Sequence, residues 1–191
     1  MADAVLICNL ALGMIGQNPI KSLSDDTYEA RTCNIYYQHA VDKVLQSNDW
    51  NSAVCHAALP ADVSVPIWEY DYQYILPSGV SPEYPLCLRV IKVDGGDDWE
   101  RRGNKILTNY QPPLNITYIG RVKENLIDPM LAEVIARKLA VDMSVRFTDS
   151  AAKTQLLKSL SMADESHAKR IDARESKPSN IISDNWIKAR L

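Results

Sequence analysis

The chain has 191 residues and a net charge of −3, with 46% hydrophobic and 24% charged side chains. That length and mixture describe one globular domain, or a domain carrying an inserted sub-domain, and exclude a disordered or collagen-like chain. Acids outnumber or balance bases in every long segment, and no segment is basic enough to form a dedicated nucleic-acid groove.

Residues 3–16 read as a short helix. Val5, Cys8, Leu12 and Ile15 recur at helical spacing, Gly16 stands where a C-terminal cap belongs, and Pro19 stops continuation. Asp26 followed by Glu29 has the pattern of a capping box, and it predicts a second helix over about 27–47 with Ala30, Cys33, Tyr37, Ala40 and Val44 on its packed face. From residue 51 the period changes. Trp68, Tyr70, Tyr72 and Tyr74 alternate with Glu69, Asp71 and Gln73, the period of a strand. Leu86–Val93, Trp99–Arg102, Lys105–Thr108 and Leu114–Ile119 are further strands. Gly95-Gly96 and Gly103-Asn104 are read as turns of a hairpin or meander. Asp128-Pro129 opens a third helix, whose stripe is Met130, Leu131, Val134, Ile135 and Leu139. A fourth begins near Asp149 or Ser150 and runs to about Arg174, with Leu156, Leu160, Ala163 and Ile171 on one face.

The expected fold class is therefore α+β. About four helices (1–50 plus 128–176) form a bundle, a β-rich insertion (51–127) lies between the second and third, and an extended arm (177–191) follows. No leader pattern stands at the start, because Asp3 precedes the first apolar run and no Lys or Arg precedes Lys21. No apolar run reaches the ~20 residues of a membrane span. A reducing cytoplasm is the expected place of synthesis.

Few residues suggest reaction chemistry. Cys8, Cys33, Cys55 and Cys87 show no C-x-x-C spacing, and Cys8 and Cys33 fall on apolar helix faces as small buried thiols. His39, His56 and His167 lack metal-ligand spacing, so no metal is expected. No nucleophile elbow or phosphate-binding glycine loop is present, and no cofactor is expected. Asp94, Asp97, Asp98 and Glu100 cluster on a Gly-rich turn, where a solvated loop is favoured over the buried acid pair of a glycosidase. The chain reads as a non-enzyme.

Two features read as contact surfaces instead. Trp68, Tyr70, Tyr72 and Tyr74 resemble a stacking platform, but the acids between them argue against nucleic acid. They suit a sheet face packed on helices or a surface between subunits. The last residues carry Ile181, Ile182, Trp186, Ile187 and Leu191, with Lys177, Lys188 and Arg190 as cations. This segment either folds back on its own domain or is an arm that buries its apolar residues in a partner.

A resemblance gives these surfaces a context. Cys8-Asn9, Ala11-Leu12, Ile15-Gly16, Pro19-Ile20, Ser22-Leu23, Asp25-Asp26-Thr27 and Glu29-Ala30-Arg31 form an ordered set. Trp50-Asn51, then Trp68, Tyr70 and Tyr72 leading into Leu76-Pro77, Leu88-Arg89-Val90 and Asp172-Ala173-Arg174-Glu175 extend it over nearly the whole chain. This set resembles the tail tubular protein A family, the head-to-tail adaptors of short-tailed bacteriophages. The stretch Ser78–Cys87 departs from the family pattern and reads as an insertion.

The resemblance implies a structural virion protein at the head-to-tail interface. It would form a ring of twelve subunits between the portal protein and the six-fold tail nozzle protein. Double-stranded DNA would pass through the ring without sequence-specific binding, during both genome retention and ejection. The arm, with Ile181, Ile182, Trp186, Ile187, Lys188, Arg190 and Leu191, would dock on the portal. Trp68, Tyr70, Tyr72 and Tyr74 would face the nozzle or a neighbouring subunit, and no membrane is involved. The rival readings are a small DNA-binding accessory protein and a tail-associated cell-wall hydrolase.

Overall fold

The computed structural model describes residues 3–80, 83–147 and 150–175. The fold is α+β: within these residues it has four helices and two small antiparallel sheets.

The helices are α1 (Ala4–Ile15), α2 (Tyr28–Gln46), α3 (Pro129–Phe147) and α4 (Ala151–Glu175). Helix α3 is the centre of the bundle. Leu131, Ala132, Val134, Ile135, Ala136, Leu139, Ala140, Met143 and Ser144 are all buried on it, and they cover most of its circumference. Helices α1, α2 and α4 all pack against it. So broad an apolar face needs several partners, and the remaining side carries Lys138, Asp142 and the exposed Val145.

Local chemistry sets the helix ends. The Asp3 carboxylate accepts the Leu6 N–H at 2.6 Å, and Gly16 closes α1 in the left-handed region at φ 77°. Asp128 Oδ1 accepts the Leu131 N–H at 2.9 Å at the start of α3. At α2 the cap is Thr27, whose hydroxyl accepts the Ala30 N–H at 3.2 Å, and not Asp26. Asp26 instead pairs with Arg31 at the surface. A hydroxyl and a carboxylate one residue apart both satisfy the sequence rule, and only the backbone decides between them.

The strands are β1 (Val54–Leu59), β2 (Tyr72–Ile75), β3 (Cys87–Val93), β4 (Trp99–Arg102), β5 (Lys105–Thr108) and β6 (Leu114–Gly120). One sheet has the order β1-β6-β3 and the other β2-β5-β4. The first sheet lies in the middle of three layers. Leu88 and Ile119 turn to the helices, whereas Ala57, Leu59, Val90, Val93, Leu114, Ile116 and Tyr118 turn to the second sheet and meet Tyr74 and Ile106.

One sequence expectation changes here, and one strand is new. Gly103 turns the β4–β5 hairpin at φ 62°, as expected. Gly95 and Gly96 do not turn a hairpin, because β3 and β4 belong to different sheets. They carry the chain from one sheet to the other beneath the Tyr110 ring, and a Cβ on Gly95 would stand 2.8 Å from that ring. Strand β1 had no clear sequence signal. Its residues, Val-Cys-His-Ala-Ala-Leu, have mixed strand preference, and their place comes from pairing with β6.

Polar keys tie the layers together. Arg121, just past β6, grips Asp42 of α2 with two guanidinium nitrogens. Trp50 is buried and donates its indole N–H to the Val44 carbonyl at 2.8 Å. Next to it, the Asn51 backbone N–H reaches Asp172 Oδ1 at 3.0 Å, and its side-chain amide reaches the Asp172 carbonyl at 2.7 Å. Asn9 of α1 does the same for the following loop. It accepts the Ile20 N–H at 2.8 Å and donates to the Ile20 carbonyl at 2.9 Å.

Asn9→Ala leaves both Ile20 backbone groups without these partners. Denaturant unfolding should show a loss of about 1–3 kcal/mol with an unchanged m-value. A loss under ~0.5 kcal/mol would mean that water replaces the amide.

Candidate interaction surfaces

The four alternating aromatics do not share one face. Only Tyr72 and Tyr74 lie on a strand. Glu69 takes a left-handed backbone at φ 67°, which breaks the alternation. Tyr74 is fully buried between the sheets and donates its hydroxyl to the Tyr110 carbonyl at 2.6 Å. Tyr74 is therefore a core residue and leaves the candidate surface. Tyr72 and Tyr70 are half-buried, and Trp68 is 73% exposed.

Trp68 belongs to a different constellation. Val63, Val65 and Ile67 are also exposed, Val63 and Ile67 completely. Residues 62–71 thus form a loop that holds four large apolar side chains in solvent. The loop is not slack. At its start the Asp62 N–H donates to the Gln73 carbonyl at 2.8 Å, and Lys105 Nζ lies 2.7 Å from Asp62 Oδ2. The buried Gln73 amide donates to Asp62 Oδ2 at 3.1 Å and to the Ser64 carbonyl at 2.7 Å. At its end the Asp71 N–H donates to Asn109 Oδ1 at 2.9 Å.

The charges around this loop are mainly acidic. Glu69 lies 3.3 Å from Arg102, which Glu100 also holds at 2.8 Å. Partial burial and the nearby Glu100, Asp98 and Glu69 carboxylates raise the Tyr70 phenol above its ordinary value. Asp94, Asp97, Asp98 and Glu100 are all exposed, so the acid cluster is a solvated rim.

Helix α4 presents a second surface. The sequence places Leu156, Leu160, Ala163 and Ile171 on its packed face. In the fold Leu156, Leu160 and Ala163 are exposed, and the buried positions are Leu157, Ser161 and Ala168. Helix α4 docks through polar contacts. Arg137 of α3 pairs with Asp164, Ser47 donates to Glu165 at 3.0 Å, and Lys153 donates to the Ile15 carbonyl at 3.0 Å. Asp172 joins Asn51, and burial pushes its carboxyl up from the ordinary value. These contacts rotate the helix away from its leucine stripe.

A groove of about 590 Å³ runs over α3 between α2 and α4. Tyr36, His39 and Lys43 of α2, Lys138, Asp142 and Val145 of α3, and Lys158, Met162 and Glu165 of α4 line it. Three lysines and a histidine from separate segments meet here, so the linear charge map missed a cationic cluster. None of these lysines forms an ion pair within 4.0 Å with a described carboxylate.

Cys8 and Cys33 are buried on their helices, as their spacing predicts. Cys8, Cys33 and Cys87 are buried, all four thiols are free, and burial pushes Cys87 up to about 11. His39, His56 and His167 are exposed. Among the described residues, no group of three or more His, Cys, Asp or Glu is placed to hold a metal ion. No described helix is long and apolar enough to cross a membrane. Ile181, Ile182, Trp186, Ile187, Lys188, Arg190 and Leu191 lie outside the described residues.

No protein-family model matches the chain, and no curated protein matches it either.

The Asp62 anchor makes the loop sensitive to acid. Lys105 and Ser64 hold its carboxyl down to about 2 from the ordinary 3.8. A carboxyl lowered by folding supports the folded loop above its unfolded value and loses that support as pH falls through the folded one. The Trp68 indole resonance should therefore shift as pH falls from 3.8 toward about 2, with amide protection over 62–71, taken relative to the intrinsic exchange rate at each pH, falling. Asp62→Asn should abolish that pH response, and a variant that titrates like the wild type would assign the anchor elsewhere.

Proposed function

We propose that this chain is a structural virion protein, a head-to-tail adaptor without catalytic activity. In this reading twelve copies form a ring between portal and tail nozzle. The ring extends the DNA channel for genome retention and ejection. The portal contact is made by the arm at 177–191, and assembly takes place in the host cytoplasm.

One observation carries the reading. A pinned loop holds Val63, Val65, Ile67 and Trp68 in water, and α4 holds Leu156 and Leu160 there too. Exposed apolar area is unfavourable by about 25 cal/mol per Å², and anchoring polar contacts that preserve such exposure suit a subunit built to be covered. A strained left-handed Glu69 at the end of the loop fits the same view, because backbone strain clusters where a surface is functional.

The matched residues support the resemblance in a second way. Asn9 and Ile20 bond each other, Asp25 accepts the Lys21 and Ser22 N–H groups, and Asn51 meets Asp172 across 121 positions of sequence. Residues quoted separately from the sequence are thus paired within one fold. A channel wall that lets DNA slide would be neutral or acidic, since clustered cations retain phosphate.

Light scattering coupled to size exclusion tests the proposal, using the cognate portal ring. The full chain should join the portal at about twelve copies per ring, and a chain ending at residue 176 should not. Equal binding by both would move the contact to the helical bundle. Binding by neither would end the adaptor reading.

A further inference from the structure

Loop and groove are complementary, and they belong to layers on opposite sides of the middle sheet. The loop leaves β1 for the edge of the second sheet, where Ala61 bridges to Tyr74. The groove lies in the helical layer. We propose that the loop 62–71 of one copy seats in the α2–α3–α4 groove of a second copy. This inference rests on the adaptor reading and names the surfaces that its ring would use.

Four observations select a second copy as the occupant. The loop offers apolar side chains with a net acidic rim: Val63, Val65, Ile67 and Trp68 beside Asp71, Asp98 and the two carboxylates, Glu69 and Glu100, that share Arg102. The groove offers exposed Val145 and Met162 with Lys43, Lys138, Lys158 and His39, and its three lysines outnumber its two carboxylates, Asp142 and Glu165. Opposite charges of this kind steer and orient a contact. The lengths agree as well. Six residues, 63–68, span at most ~18 Å, and α4 lines the groove from Thr154 to Glu165, about 16 Å at 1.5 Å per residue. Finally, the loop is held in shape before binding, which lowers the entropic cost of docking.

The leucine stripe of α4 is a poorer seat. Leu156 and Leu160 each stand two residues from Lys158, about 200° around the helix, so they face away from the lysine cluster. A loop-to-groove contact uses different patches on the two copies. It is heterologous, and successive copies either close into a ring or extend as a filament.

Two variants test the pairing by complementation. The loop variant combines Ile67→Ser with Trp68→Ser, and the groove variant combines Val145→Ser with Lys158→Glu. Three of the four replaced side chains are large exposed hydrophobics, and Lys158 is also at the surface, so neither variant touches the core. Sedimentation equilibrium on full-length chains up to ~1 mM is the readout. Each variant alone should self-associate at least ~30-fold more weakly than wild type, the loss expected for interface anchors. An equal mixture should give a one-to-one heterodimer and nothing larger, because only one sound loop and one sound groove remain.

Wild-type-like assembly of the groove variant would overturn the pairing. So would a wild-type chain that stays monomeric over the whole range. Salt-sensitive binding of a short DNA duplex, lost in the groove variant while self-association persists, would assign the groove to DNA. The adaptor reading fails separately, through absent portal binding by a wild-type chain that still self-associates.

Discussion

Burial of α3 is the constraint on which the rest of the structure depends. Nine of its residues are buried, and three other helices pack on it. Those nine cover more than half of its circumference, so only the side carrying Lys138, Asp142 and Val145 is left to water. Its neighbours must therefore come from both ends of the sequence, α1 and α2 before the β-rich part and α4 after it. The β-rich part is consequently an insertion whose two ends return to the same bundle. The middle sheet inherits its orientation from this, with Leu88 and Ile119 turned to the helices and a second apolar face left for the other sheet.

Apolar packing brings the layers together, and a few polar contacts fix their angles. Arg121 with Asp42, Asn51 with Asp172 and Arg137 with Asp164 each join segments distant in sequence. Such pairs add modest net stability, since desolvation opposes their attraction. Their geometric demand is stricter than that of an apolar contact. It explains how α4 can dock on Ser161 and Ala168 and leave Leu156 and Leu160 outside.

The same logic governs the loop 62–71. Gln73 and Asp62 satisfy each other and the loop backbone, so the chain cannot collapse to bury its own apolar residues. The polar contacts of Asp62, Ser64 and Asp71 hold this surface from below. The structural reading of the adaptor proposal comes from that arrangement: rigidity beneath, apolar area above, and a cationic groove on another layer with matching chemistry.

The periodic and capping signals in the sequence were enough to specify the four helices, most strands, a β-rich stretch between the second and third helices and the buried Cys8 and Cys33. Local chemistry sets these features: helical spacing in Cys8, Leu12 and Ile15, Pro129 after Asp128, and Gly103 at a tight turn. Tertiary structure decided everything that depends on pairing across the chain. It put β1 beside β6 despite mixed local preference, chose Thr27 over Asp26 as a cap, and buried Tyr74 while exposing Trp68. It turned α4 off its leucine stripe through Arg137 and Asn51, contacts no local window contains. It also gathered Lys43, Lys138 and Lys158 from three helices into one groove. Periodicity tells which residues share a face, but only the partners of that face determine whether it is covered.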